Sequence, residues 1–124
     1  MTTANTLYSG TSLSLAPGTY FVTGAVTVAS PTNTSFTLTP RLYTDTTTYA
    51  SGQNYIDNAG GGHIGYASAA LQAIIVLGTT TTVNIGAVAN EANMTILATP
   101  AVNGDTPTPA SGNTATGIVA LKLA

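Results

Sequence analysis

The chain has 124 residues, of which six carry a formal charge and 25 are threonine, and its formal net charge is −2. One domain is expected at this length, and the absence of any run of Lys or Arg excludes the basic patch that nucleic-acid binding requires. Cysteine is absent, which excludes a disulfide framework and a thiolate metal site. So few charges indicate a surface that is solvated by hydroxyls and amides, covered by other subunits, or both.

The first ten residues, Met1 to Gly10, are polar and uncharged, and the longest uninterrupted apolar run, Ala73 to Leu77, has five residues. Neither resembles a secretory signal or the roughly 20 apolar residues of a membrane span. We therefore expect synthesis in a host cytoplasm and no membrane partner. We also expect residues 1–10 to be an N-terminal anchoring segment that a partner orders, followed by a single domain over residues 11–124.

Alternation of apolar and polar residues predicts short β-strands from there onward. A first strand carries Leu13 and Leu15 and ends at the turn signal Ala16-Pro17-Gly18. The second strand, Thr19 to Ala29, has Gly24 in its middle. A glycine in that position predicts a bulge or a close approach of another backbone.

The third predicted strand alternates from Phe36 to Tyr43, and it contains Pro40. Proline cannot donate a hydrogen bond to a neighbouring strand, so this strand is expected to be an edge or to be bulged there. The residues from Thr44 to Tyr66 are expected to form a long irregular loop. Further strands are predicted at Ala69–Leu77, which should be covered on both faces, at Thr82–Ala89, from Met94 onward and, after a loop at Pro100–Asn113, at Ala115–Leu123.

The chain therefore contains at least seven to eight predicted short strands, with turn signals every 8 to 15 residues and no significant helix. This pattern predicts an all-β fold. The expected architecture is an antiparallel β-sandwich of jelly-roll type. The chain shows no internal repeat and no linker.

Four stretches occur in an order and spacing that resemble trimeric jelly-roll domains: LAPGTYFVTGAVTV (15–28), LTPRLY (38–43), IVLGTTTTVNIGA (75–87) and TGIVALKL (116–123). The family includes the complement-type globular head and tumour necrosis factor-like domains, with counterparts in bacteriophage head fibres, decoration proteins and fibre tips. The resemblance covers roughly Leu13 to Leu123. It implies a homotrimer whose last strand lies near the trimer axis, although no collagen-like or coiled-coil stalk precedes it here.

Few side chains are suited to chemistry. His63 is the only histidine, and its nearest carboxylate in sequence is Asp57. One histidine with one carboxylate is more typical of a structural hydrogen bond than of a catalytic site. The four carboxylates are scattered singly, unlike a calcium loop, and Gly60-Gly61-Gly62 lacks the lysine of a phosphate loop. We predict no catalytic residue, no metal and no cofactor.

The segment from Thr44 to Tyr66 is the candidate contact loop, because loops of this length are usually functional or held by a partner. Its candidate contact residues are Tyr49, Tyr55, His63 and Tyr66. Tyrosine is frequent at binding surfaces, and it is as frequent in plain packing at the end of a sandwich. Both alternatives stay open at this point.

Two functions follow from these observations. The first is a structural virion protein, a bacteriophage capsid decoration or cement subunit that stabilises the head as a homotrimer on the capsid surface, with the major capsid protein as its partner. Low charge, threonine-rich strands and the absence of a shaft favour it. The alternative is the receptor- or glycan-binding head of a phage fibre or tail tip. An enzyme has almost no support in the sequence.

Overall fold

The computed structural model describes residues 1–30, 34–57, 65–97 and 116–124. These residues form nine β-strands and no helix. The strands are β1 (Tyr8–Leu15), β2 (Gly18–Ala29), β3 (Phe36–Tyr43), β4 (Thr48–Ser51), β5 (Asn54–Ile56), β6 (Tyr66–Leu77), β7 (Thr81–Ala89), β8 (Thr95–Ile96) and β9 (Gly117–Lys122).

Two antiparallel sheets pack face to face, so the expected all-β fold is confirmed as a β-sandwich. Sheet A has the strand order β1-β7-β3-β4, with β5 also paired to β3. Sheet B has β2 at its centre, with β6 on one side and both β8 and β9 on the other. Only one of the two faces of each sheet is covered by the other sheet.

The core lies between the sheets and follows from the alternation of the strands. In β3 every second residue is buried, and in β2 the valines turn inward while the residues between them face outward. Burying a side chain of this size contributes about 1.5–3 kcal/mol. The large side chains that are fully buried include Phe36, Leu38, Leu42, Ile75, Ile85, Met94, Val22, Val26, Val28 and Val83.

Gly24 marks a close approach of the two sheets and not a bulge. The register of β2 with β6 runs without interruption through the pair Gly24 and Leu71. A Cβ atom on Gly24 would lie 3.2 Å from three side-chain atoms of Ile85 in sheet A. The bulge alternative is therefore wrong, and the close approach is to the side chain of Ile85, not to another backbone; a larger residue at position 24 would push the sheets apart.

Of the two alternatives for Pro40, the edge strand is wrong, because β3 lies between β7 and the pair β4 and β5. A local irregularity is present instead of an edge, since the pairing on the β4 and β5 side is interrupted opposite Pro40. The carbonyl of Pro40 accepts a hydrogen bond from the backbone N–H of Gly52, at 3.4 Å. In a strand, the nitrogen and carbonyl of one residue point to the same side. The nitrogen of Pro40, which carries no hydrogen, therefore faces the gap between β4 and β5. The missing hydrogen bond costs little there, because no strand is paired with Pro40 on that side.

The expectation of an irregular loop from Thr44 to Tyr66 is also wrong for its described part. Residues 48–51 and 54–56 are the strands β4 and β5, and Tyr66 already belongs to β6. Tyr49, Ala50 and Ile56 pack against the core, which explains why these short strands dock on β3. The triple glycine, His63 and the predicted loop Pro100–Asn113 lie outside the described residues.

The N-terminal residues run along the sandwich before β1 begins at Tyr8, so the expected boundary at residue 10 falls inside β1. The N–H of Asn5 donates to the carbonyl of Ala89, at 2.7 Å, and the amino group of Met1 donates to the carbonyl of Met94, at 2.8 Å. These bonds hold the segment against the body of the domain. An anchoring role for residues 1–10 stays a prediction.

Candidate functional site

Sheet B carries large apolar side chains on its outer face, the face turned away from the core. Among the described residues, every exposed large hydrophobic side chain except that of Tyr55 lies there. We call this surface the apolar face. It consists of Phe21, Ile74, Val76, Val119, Leu121 and Leu123.

The apolar face exists because two strands of sheet B are apolar on both sides. In β6, Ile75 and Leu77 are buried in the core. The residues that alternate with them, Ile74 and Val76, are 66% and 72% exposed. Alternate side chains of a strand must point to opposite faces. The expectation that this strand is covered on both faces is therefore wrong for the single chain.

The centre of the apolar face is a row of three side chains across sheet B. Phe21 of β2 pairs with Ile74 of β6 on one side and with Leu121 of β9 on the other. Side chains that are directly opposite on neighbouring strands touch, because the Cβ atoms are about 5 Å apart. The row is therefore a continuous apolar ridge.

The rows on either side extend this ridge. Thr19 pairs with Val76, and its carbonyl accepts a hydrogen bond from the N–H of Leu123, at 2.8 Å. Thr23, on the other side, pairs with Val119 of β9 and with Gln72 of β6, so this row is apolar only at β9. With strands about 4.8 Å apart and rows about 6.8 Å apart, three rows on three strands cover about 14 by 20 Å.

Towards the opposite end of β2 the outer face of sheet B becomes small and polar. Ala25 pairs with Ala70 and Gly117, where small side chains leave a shallow depression of about 380 Å³. Beyond it the hydroxyls of Thr27 and Ser68 are 2.8 Å apart. This end forms a polar rim to the apolar face.

No charged side chain lies within these three rows. Lys122, the one charged residue of β9, turns to the other side of the sheet, where its Nζ is 6.0 Å from the centre of the Tyr20 ring. The Tyr20 hydroxyl donates to the carbonyl of Ala16, at 3.0 Å. The apolar face can therefore be buried without desolvating an ion.

The outer face of sheet A is polar in contrast. From β3 it presents Thr39 and Arg41, and from β1 it presents Ser12 and Ser14. Hydroxyl and amide groups there hydrogen-bond one another, as in the contact between Ser9 and Asn84, at 3.5 Å. This face is suited to remain in water.

The structure places the sequence-predicted contact residues on separate strands. Tyr49 is the extra residue at a bulge in β4 and packs against the core, whereas Tyr55 in β5 is 66% exposed on the outer face of sheet A. Tyr66 lies in sheet B, paired with Ala29. His63 lies outside the described residues. The described tyrosines therefore do not share one surface.

The described residues form neither a metal-ligand cluster nor a membrane-spanning helix. The carboxylate of Asp57 accepts a hydrogen bond from the hydroxyl of Ser35, at 2.9 Å. Within residues 1–30, 34–57, 65–97 and 116–124, no group of three His, Cys, Asp or Glu side chains is placed to hold a metal ion. None of these residues forms a helix that is long and apolar enough to cross a membrane.

Sequence analysis did not identify the apolar face as a unit. The signal was present in the run from Ala73 to Leu77 and in the last strand, both of which are apolar at successive positions. Comparisons with protein-family models, with curated proteins and with solved structures found no match to this chain.

Proposed function

We propose that this chain is a structural virion protein, a decoration or cement subunit that binds the major capsid protein of a bacteriophage and stabilises the head as a homotrimer. The observation that carries the self-association is the apolar face of sheet B. The assignment to a phage capsid derives from the sequence resemblance of residues 13–123 to trimeric jelly-roll virion proteins.

The apolar face favours association because exposed apolar surface is stabilised when it leaves water, by about 25 cal/mol per Å². A patch of a few hundred Å² is about the largest that a typical soluble monomer exposes, and such patches often bind a partner. A stable interface buries about 800 Å² on each partner. The apolar face would supply the centre of such an interface, and the surrounding hydroxyl groups its rim.

The apolar face has two exposed flanks, as a cyclic trimer requires. Ile74 and Val76 on β6 and Val119 and Leu121 on β9 are more than 60% exposed, whereas Phe21 on the central strand is 36% exposed. In a cyclic trimer each subunit meets two neighbours. The β6 flank would contact one neighbour and the β9 flank the other, with the last strand near the axis.

Two further observations support the proposal. The chain passes repeatedly between the sheets, with β1, β3 to β5 and β7 in sheet A and β2, β6, β8 and β9 in sheet B, and such crossing is typical of a jelly roll. The outer face of sheet A is polar and would face solvent, which accounts for solubility with six charged residues.

The self-association is tested by placing charges on the apolar face. The double variant Ile74→Lys/Leu121→Lys buries two unpaired cations if the face is an interface, and it should weaken association by about 100-fold or more. The matched control, Ser12→Lys/Thr39→Lys, adds the same charge to the outer face of sheet A. Sedimentation equilibrium at micromolar concentration should show a trimer for the wild type and the control and a monomer for the first variant.

Attachment to the capsid is tested by cryo-electron microscopy of phage particles that were assembled with each variant. The proposal predicts trimeric density on the capsid shell with the control and none with Ile74→Lys/Leu121→Lys. A wild-type chain that is monomeric both in solution and on the particle, or a charged variant that still forms trimers, would contradict the proposal.

One observation favours the alternative function, a receptor- or glycan-binding head. Tyr55 projects from the polar outer face of sheet A with 66% of its surface exposed, and exposed tyrosines are frequent in binding surfaces. Replacing Tyr55 by Ala separates the two functions. Particles that stay heat-resistant but no longer adsorb to cells would favour the alternative, whereas normal adsorption would show that Tyr55 does not bind the receptor.

A further inference from the structure

We infer that the outer face of sheet A carries a binding site for a neutral saccharide, in a shallow depression at the turn between β3 and β4. This depression has a volume of about 410 Å³ and is lined by Leu7, Arg41, Tyr43 and residues 44–48. It goes beyond the proposed function, because it lies on the opposite side of the sandwich from the apolar face. A homotrimer built on sheet B would leave it open.

The local fold brings a guanidinium and an aromatic ring together at this turn. Arg41 and Tyr43 are separated by one residue in β3, so both side chains point outward while Leu42 is buried. The backbone N–H of Thr44 donates to the carbonyl of Thr47, at 2.8 Å, which closes the turn. The turn places Asp45 and several hydroxyls at the edge of the depression.

The ring of Tyr43 is held in place by the neighbouring strand. A Cβ atom on Gly86 of β7 would lie 3.2 Å from Cε1 of Tyr43 and would collide with the carbonyl oxygen of Tyr8. Gly86 therefore leaves room for the ring to extend over β7. A ring that is already positioned loses little conformational entropy when a ligand stacks on it.

The polar groups of the depression determine the chemistry of its ligand. Neither the guanidinium of Arg41 nor the carboxylate of Asp45 has a hydrogen-bond or ion-pair partner among the described residues. A guanidinium only donates hydrogen bonds and an ionised carboxylate only accepts them. The ligand must therefore offer acceptors and donors close together.

Adjacent hydroxyls of a sugar ring meet this requirement, since each hydroxyl both donates and accepts. The apolar C–H face of a sugar also matches the ring of Tyr43 and the side chain of Leu7. An anionic ligand would be repelled by Asp45 and a cationic ligand by Arg41. A ligand with a single sign of charge therefore meets a like charge, whereas a polyhydroxylated ligand without charge matches both groups and the tyrosine ring.

The site is small and open, so binding to one copy should be weak, with a Kd of about 1 mM. If the proposed homotrimer exists, it presents three copies of the depression. Three linked sites can raise the apparent affinity for a branched or repetitive glycan by about 100-fold or more. A glycan-coated surface is therefore a better ligand than a free monosaccharide.

Saturation-transfer NMR on the full chain tests the inference directly. The probes are glucose, galactose, mannose and N-acetylglucosamine, each at about 20 mM so that a Kd of about 1 mM is detected. We expect at least one to receive saturation from the wild type. The signal should fall at least about fivefold in Asp45→Asn and in Tyr43→Ala, which remove the acceptor and the stacking ring.

Tyr55→Ala is the matched control, because Tyr55 is a tyrosine on the same outer face, opposite Thr37 and six residues along β3 from Tyr43, which is roughly 20 Å. Its signal should equal that of the wild type, and sedimentation should show all three variants in the wild-type oligomeric state. The inference is overturned if no probe receives saturation, if Asp45→Asn binds as the wild type does, or if Tyr55→Ala loses binding equally. None of these outcomes changes the oligomeric state, so the proposed function is tested separately.

Discussion

The outer faces of the two sheets differ sharply, although both belong to strands that alternate across the same core. Sheet A presents threonine, serine, asparagine and Arg41 to solvent, whereas sheet B presents six large apolar side chains. A two-layer sandwich needs only one apolar face on each sheet. The second apolar face of sheet B is not needed to close the core of a single chain, and in the proposed function another copy covers it.

The largest effect of a substitution on the free energy of unfolding is expected in the core between the sheets. Ile85 is fully buried and faces Gly24, so Ile85→Ala should lower the free energy of unfolding by about 2–5 kcal/mol. Val76 on the apolar face is 72% exposed, so Val76→Ala should change it by less than about 0.5 kcal/mol.

Urea unfolding measures both changes in the Ile74→Lys/Leu121→Lys background, where association does not contribute. Equal losses for Ile85→Ala and Val76→Ala would show that the outer face of sheet B is already covered within one chain. That result would remove the contrast between the two outer faces.

An intermediate effect is expected for two tyrosines of sheet A. Tyr49 is partly buried against the core, and Tyr49→Ala should lower the free energy of unfolding by about 1–2 kcal/mol, less than for a fully buried ring. Tyr55 is 66% exposed, and Tyr55→Ala should stay within about 0.5 kcal/mol. Thermal unfolding of the two variants checks this order, and a larger loss for Tyr55→Ala would contradict the placement of the two rings.

The smallest effect is expected for the dependence of the association constant on salt concentration. Because the apolar rows contain no charged side chain, the association constant should change less than about threefold between about 0.05 and 0.5 M NaCl. Sedimentation equilibrium across that range measures it. A loss of tenfold or more at high salt would indicate that ion pairs, and not the apolar face, hold the copies together.

The sequence was sufficient to predict the strands that are long and regular. The alternation in Thr19 to Ala29 predicted the strand, whereas the glycine at its centre left a bulge and a close backbone approach as alternatives. It was insufficient for β4 and β5, which have four and three residues, too few for a period to show. These strands form because they pair with β3. Pro40 is tolerated in β3 because its nitrogen faces the gap between β4 and β5.

The candidate site shows a similar division. The run from Ala73 to Leu77 was recognised as apolar on both sides, but sequence periodicity does not distinguish a strand buried within its own domain from one that meets another chain. The choice depends on which strands flank β2, a long-range property of the fold. The site at the β3–β4 turn likewise depends on Gly86, more than 40 residues away from Tyr43 in the chain.

Thiol labelling tests the central claim most directly, because the chain has no cysteine and each introduced thiol reports on one position. Leu121→Cys probes the apolar face and Ser14→Cys probes the outer face of sheet A. In the assembled protein, Ser14→Cys should react like a free thiol, whereas Leu121→Cys should react at least about tenfold more slowly, because reactivity follows exposure. Equal rates for the two variants in the assembled protein would contradict the burial of the apolar face.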